Sequence, residues 1–143
     1  MESELFNLAG KTALVTGGSR GIGLAVAKGL AEHGTNVAII ARSKEQLETA
    51  ARQIQTDTGK KVSTYPFDLS DIKGIEPLFE NIAAETKGID ILVNCAGTTI
   101  RGPSEDVDLD TWNHVIEVNL TATDRKSTRL NSITVASRMP SSA

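Results

Sequence analysis

Thr16-Gly17-Gly18-Ser19-Arg20-Gly21-Ile22-Gly23 follows the apolar run Thr12 to Thr16 and leads into Ile22 to Leu30, where apolar residues recur at helical spacing. A strand, a glycine-rich turn and a helix in that order present backbone N–H groups, without intervening side chains, at the positive end of a helix. This is the geometry that holds a diphosphate. Glycine turns also arise for packing alone, and the rest of the chain has to separate the two readings.

Outward from the turn the alternation repeats. Gly34 closes the first helix, and Asn36 to Ala41 is too short for a helix and apolar enough to be buried on both faces, as in a parallel sheet. Ser43 with Gln46 three residues on forms a capping box for a second helix, whose apolar stripe is Leu47, Ala50, Ala51 and Ile54, ending at Asp57 or Gly59. Lys61 to Phe67 reads as a third strand near a sheet edge, because it alternates and contains Pro66. Ser70 is expected to cap a third helix with Ile75, Leu78, Phe79 and Ile82 inward, and Pro77 puts the start of its regular part near Glu76. Ile89 to Val93 is a fourth strand; Leu109 to Leu120 is a fourth helix capped by Asp108, with Trp112, Val115, Ile116 and Leu120 on one side. The order βαβαβαβα implies an α/β fold with a doubly wound, mostly parallel sheet and right-handed crossovers.

The 143 residues are 39% hydrophobic and 23% charged, a composition that supports a packed core. No run approaches the roughly 18 to 20 apolar residues of a membrane span, and the opening MESELFNLAG carries acids where a secretory signal is basic; a soluble, cytoplasmic protein is expected. Cys95 is the single cysteine and His33 and His114 are the two histidines, which argues against disulfides and against a metal site. His33 suits a helix C-terminus, and His114 is expected on the polar side of the fourth helix. A net charge of -3 offers no concentrated basic surface for nucleic acid or membrane.

Composition changes after Thr123. Residues 124–143 (DRKSTRLNSITVASRMPSSA) hold four Lys or Arg against one Asp, which leaves -6 on residues 1–123. A disordered basic tail is one reading. The other is that the segment is not natural protein sequence: back-translated, DRKSTRLNS resembles the adapter ligated to DNA fragments for short-read sequencing, and SRMPSSA resembles a later stretch of it in a shifted frame. On that reading residues 1–123 are the native part, and 124–143 are set aside from functional inference as a non-native tail.

The turn has the spacing TGxxxGxG and resembles the cofactor loop of the short-chain dehydrogenase/reductase family. Asp68 after the third strand, Asn94-Cys95-Ala96-Gly97 after the fourth, and Asn119 in a VNL triplet resemble further landmarks of that family in their order. The resemblance covers residues 6 to 123 and implies a Rossmann-like NAD(P)-binding domain, here the N-terminal half only of a fold that runs to on the order of 250 residues. It implies cofactor contacts at Gly17, Ser19, Arg20, Gly21, Ile22 and Gly23. It further implies that Asp68, with Leu69 beside it, hydrogen-bonds the adenine amino group, that Asn94, Ala96 and Gly97 support the sheet and the nicotinamide side, and that Asn119 organises a proton relay. Cys95 departs from the family's usual second Asn and reads as a small packing residue.

In this family a hydride moves between nicotinamide and a carbonyl or alcohol carbon, with a Tyr as acid/base, a Lys that lowers its pKa and a Ser that orients the substrate oxygen. Here no Y-x-x-x-K is found, the single tyrosine, Tyr65, falls in the third strand, and Ser137 falls in the tail. The chain as it stands is expected to be inactive and, with Ile91, Leu92 and Val93 on an open edge, marginally stable. Ala41 ends the second strand where an acid would accept hydrogen bonds from an unphosphorylated ribose; Arg42 and Ser43 follow it, and Arg20 lies in the turn. Two guanidiniums suit a 2′-phosphate, which predicts NADP(H) over NAD(H). Arg101, in the loop Thr98 to Pro103, is placed to face an anionic substrate, and its neighbourhood resembles that of sugar-acid dehydrogenases such as the gluconate 5-dehydrogenases. The resemblance implies a small carbonyl or alcohol substrate and a homotetramer. The rival readings are a non-catalytic, dinucleotide-binding regulatory protein on the same fold and an interaction fragment without a ligand.

Overall fold

The computed structural model describes residues 7–99 and 102–127. Strands β1 (Thr12–Thr16), β2 (Asn36–Ala41), β3 (Val62–Pro66) and β4 (Ile91–Asn94) form one parallel sheet in the order β3-β2-β1-β4. Helices α1 (Gly21–Glu32), α2 (Lys44–Thr58) and α3 (Ile72–Thr86) alternate with the strands, and α4 (Leu109–Ile116) follows β4. Side chains of one strand point alternately to the two faces, and each face buries its own cluster. Leu14, Ala38 and Ile40 pack with Ile75, Phe79 and Ile82 of α3; Val15, Val37 and Ile39 pack with Ala27 and Ala31 of α1 and with Leu47, Ala50 and Ile54 of α2. The chain steps from β1 outward to β2 and β3, then returns to lay β4 against the other side of β1. The reversal opens a crevice at the carboxyl ends of β1 and β4, where sheets of this kind bind ligands.

Helix starts follow the local chemistry, with one correction. Ser43 Oγ accepts from the Gln46 N–H at 3.2 Å, and α2 ends on Gly59 in the left-handed region. Ser70 does not cap α3. It donates its N–H and hydroxyl to Asp68, and the next residue, Asp71, takes the cap by accepting from the Gly74 N–H at 3.2 Å. The helix therefore starts at Ile72 rather than near Glu76, and Pro77 lies within it. The proline removes one bond, and burial of Ile75, Phe79 and Ile82 on the sheet outweighs that loss.

The fourth strand begins at Ile91, two residues later than expected, and Ile91 to Val93 are half-buried where Thr12 to Thr16 of β1 are wholly buried. The fourth helix also departs from expectation. Asp108 caps it, accepting from the Thr111 N–H at 2.6 Å, but Glu117–Thr121 widens into a π turn before α-helix resumes through residue 127. Trp112 and Leu120, expected on a packed side, are 59% and 62% exposed, and Leu109 is 71% exposed.

Ala122, in the resumed helix, belongs to the α3-side core, and one turn later Lys126 is fully buried with no hydrogen-bond partner for Nζ among the described residues. Burial penalises the ammonium and pulls its pKa down to about 8. The folded chain thus holds fewer protons than the unfolded one between about 8 and 10.5, and stability rises with pH through that window. Lys126→Met should stabilise the 143-residue chain at pH 7 by roughly 1–3 kcal/mol. In thermal melts the unsubstituted chain should gain stability from pH 8 to 10.5 and the variant should not; equal melting temperatures at pH 7 would contradict the burial.

Candidate functional site

A cavity of about 400 Å³ lies at the carboxyl ends of the strands. Its floor is the turn between β1 and α1. The N–H groups of Gly17 and Gly18 reach back to the Ile40 carbonyl at 2.8 and 3.4 Å, so these two amides tie the turn to β2. Gly17 has φ +67°, and a Cβ there would come within 2.9 Å of the Ala96 nitrogen; a Cβ on Gly23 would fall on the Gly17 carbonyl. Both glycines are required by the closeness of backbone to backbone.

Beyond the turn the helix start is bare. The first helical bond runs from the Leu24 N–H to the Arg20 carbonyl, so the N–H groups of Gly21, Ile22 and Gly23 precede the ladder. The N-cap residue is Arg20, whose guanidinium has no acceptor atom; it makes no capping bond, and the first turn holds no acid. Helices α2, α3 and α4 are each capped by a side-chain oxygen, from Ser43, Asp71 and Asp108. At α1 a cation stands where an anion would be stabilised, an arrangement that favours an external anion at this end.

The walls come from the other strand ends. Arg42 and Ser43 extend from β2, and Asp68 and Leu69 follow β3. Asp68 Oδ1 accepts from the Ser70 N–H at 2.9 Å and from its hydroxyl at 2.8 Å; chiefly the backbone bond holds the carboxyl below its usual range, and the charges of Arg42 and His114 act the same way. Past β4, the Thr16 hydroxyl donates to the Val93 carbonyl at 3.4 Å and accepts from the Ala96 N–H at 3.2 Å, joining the two strand ends. Asn119 sits in the π turn. Its Oδ1 accepts from the Thr98 N–H at 2.8 Å and its Nδ2 donates to the Thr98 carbonyl at 2.9 Å, so one side chain clamps the loop backbone from both sides.

Gly17, Ser19, Arg20, Gly21, Ile22 and Gly23 line the cavity, and so do Arg42, Ser43, Asp68, Leu69, Ala96 and Gly97. Asn94 and Asn119 are not among the lining residues. Asn94 donates to Ser127 Oγ at 3.3 Å, and Asn119 bears on the cavity through Thr98. Arg101 and Ser137 lie outside the described residues. Tyr65 is not among the lining residues: its hydroxyl donates to Glu85 Oε2 at 2.5 Å, and burial with that neighbouring carboxylate pushes its pKa up to about 12, the wrong direction for an acid/base near neutrality. Thr98 lines the cavity from the loop that follows β4; Gln46, Val118 and above all His114 line it without being readable as site residues in the sequence, and His114 faces the cavity rather than a plain polar surface. The spacing of His114 and Val118, four residues apart beside Asn119, is the signal that could have found them.

The family model of the short chain dehydrogenases matches residues 11–130. The chain belongs to the short-chain dehydrogenase family. It is 40% identical over 119 residues to gluconate 5-dehydrogenase of Gluconobacter oxydans, covering 83% of this chain and 46% of that protein. It is 36% identical over 118 residues to D-threitol dehydrogenase of Mycolicibacterium smegmatis, covering 82% and 45%. Among solved structures it is similar to L-sorbose reductase of Gluconobacter frateurii complexed with NADPH and L-sorbose, with 31% identity, TM-score 0.84, and coverage of 92% of this chain and 50% of that one. A short chain dehydrogenase of Burkholderia cenocepacia in complex with NADP gives 33% identity, TM-score 0.82, and 96% and 61% coverage. The chain spans about half the length of these relatives, and its sheet is the N-terminal half of the Rossmann-like fold.

The short-chain dehydrogenase turn should tolerate no side chain at its crossing point. Gly23→Ala is expected to destabilise by about 2 kcal/mol or more, because the Gly17 carbonyl has to move. Gly29→Ala, in the same helix with open space around it, should be neutral or stabilise by roughly 0.5–1 kcal/mol. Denaturant melts of the two variants check the contrast.

Proposed function

We propose that the complete protein is an NADP(H)-dependent oxidoreductase acting on a small carbonyl or alcohol, and that this chain carries its nucleotide-binding half without the catalytic Ser, Tyr and Lys. The observation that carries the proposal is the bare, positive start of α1 at the cavity, with Arg20 in its cap position and Arg42 on an adjoining wall. The residues present fit a dinucleotide: glycines at Gly17 and Gly23 leave the backbone uncovered, and the donors gathered there are amides and guanidiniums.

In this reading the amides of Gly21, Ile22 and Gly23 hold the diphosphate with Ser19. Arg20, Arg42 and Ser43 hold a 2′-phosphate, and Ala41 offers no carboxylate to a free ribose hydroxyl. Asp68 accepts from the adenine amino group beside Leu69, and Asn94, Ala96 and Gly97 shape the nicotinamide side. Asn119 fixes the Thr98 loop and, in the complete protein, supports the proton relay. When bound, the nicotinamide ring gives or takes the hydride. The NADPH and NADP complexes among the similar structures favour the phosphorylated coenzyme, and the likeness to gluconate 5-dehydrogenase favours a sugar acid as substrate.

Residues 124–143 are, in the same proposal, foreign to the native protein. The orphaned, buried Lys126 supports this, because the position four residues after core Ala122 calls for an apolar side chain. Exposed Leu109, Trp112 and Leu120 on α4 and the π turn suit burial against a further part of the protein or a neighbouring subunit of a homotetramer. An acidic chain with one free cysteine suits the cytoplasm.

Independent sequencing of the locus should show a reading frame that leaves DRKSTRLNS behind after Thr123 and continues to Y-x-x-x-K. The protein encoded there is expected to bind NADPH at least about tenfold more tightly than NADH, a preference that Arg42→Ala should largely erase. A frame running on through DRKSTRLNS would refute the foreign tail. Absence of Y-x-x-x-K would favour a regulatory dinucleotide binder, and equal affinities would remove the 2′-phosphate site.

A further inference from the structure

Gly18 stands inside the glycine turn, yet neither it nor Ile39 of β2 is among the cavity-lining residues. A Cβ placed on Gly18 would come within 2.6 Å of Ile39 Cγ2, 2.8 Å of Ile39 Cβ and 3.2 Å of the Val15 carbonyl oxygen. Both Ile39 atoms lie at the root of a β-branched side chain, which has no flexible end to swing aside. The backbone of the turn therefore rests on one branched carbon of β2. Ile39 is wholly buried in the core shared with α1 and α2, among Val15, Ala27, Leu47 and Ile54, so packing holds that support in place. The next residue acts in the opposite sense: the Ile40 carbonyl accepts from the Gly17 and Gly18 N–H groups at 2.8 and 3.4 Å and draws the turn toward the strand. Contact at Ile39 and bonds at Ile40 together fix how far the turn stands from β2.

We propose that Gly18 and Ile39 are a positioning pair: without touching the nucleotide, their contact sets the height of the turn and, with it, the place of the bare Gly21, Ile22 and Gly23 amides at the start of α1. The inference rests on the dinucleotide reading and adds to it a control on diphosphate binding exerted from the core of the sheet. Widening the contact lifts the turn off the Ile40 carbonyl and moves the three amides relative to Arg42 and Ser43, which extend from the end of β2. A ligand that reaches the amides depends on that spacing, whereas one that uses only the β2 wall does not.

The test is calorimetry on the complete gene product with three probes: NADPH, ADP-ribose, which carries the diphosphate without a 2′-phosphate, and 2′-AMP, which carries the 2′-phosphate without a diphosphate. Gly18→Ala should weaken NADPH and ADP-ribose about tenfold and leave 2′-AMP within about twofold. Ile39→Leu, of equal volume but without the branch at Cβ, should weaken the two diphosphates about threefold. Ile39→Val keeps the branch and gives up one carbon; it should melt lower and bind all three probes unchanged. Unchanged ADP-ribose affinity in both Gly18→Ala and Ile39→Leu would overturn the proposal. So would an equal loss of 2′-AMP, or a loss in Ile39→Val that matches the one in Ile39→Leu, since either makes the contact a matter of packing alone. Should Gly18→Ala fail to fold, the contrast between the two Ile39 variants decides. Failure of the unsubstituted protein to bind NADPH and ADP-ribose would instead overturn the dinucleotide reading, and the positioning role with it.

Discussion

Helix α1 enters the fold with its positive end bare, and the cavity is arranged around that start. A side-chain cap contributes typically about 1 kcal/mol, and α1 forgoes it while the other three helices each have one. Arg20 in the cap position makes the omission sharper, because a cation at this end adds repulsion to unpaired N–H groups. An anion seated there answers both. The glycine turn holds the start in place: Gly17 and Gly18 anchor to the Ile40 carbonyl, and Gly23 lets α1 cross directly over the Gly17 carbonyl. Stability given up at one helix end leaves that end open to an anion.

The remaining walls are fixed by bonds between strand ends. The Thr16 hydroxyl bridges β1 to the segment after β4, and the Asn119 amide grips Thr98 on both its backbone groups. The π turn that carries Asn119 shifts the phase of the helix; such insertions commonly mark functional positions. β4 is half-buried, and Leu109, Trp112 and Leu120 remain open to solvent, in a chain that spans about half the length of gluconate 5-dehydrogenase.

The sheet was legible because burial on both faces leaves short, continuous apolar runs, and β1 and β2 carry the bounds read for them. The α3 cap was not, since Ser70 and Asp71 are adjacent residues of equal capping ability and only the prior claim of Asp68 on Ser70 decides between them. No sequence signal announces a π turn, which depends on where one backbone bond is skipped. His114 reads as a plain polar-side residue for a related reason: the polar side of α4 follows from taking Trp112 and Leu120 as the packed side, and both are exposed here. The glycines pointed to uncovered amides, yet which amides stay available depends on Ile40, a residue on another strand.

The most direct measurement is amide-resolved NMR of the isotope-labelled complete protein during titration with NADPH. The largest shifts are expected at the N–H groups of Gly21, Ile22 and Gly23, with Gly17, already bonded to Ile40 at 2.8 Å, moving little. Saturating coenzyme that leaves those three amides unperturbed would contradict it.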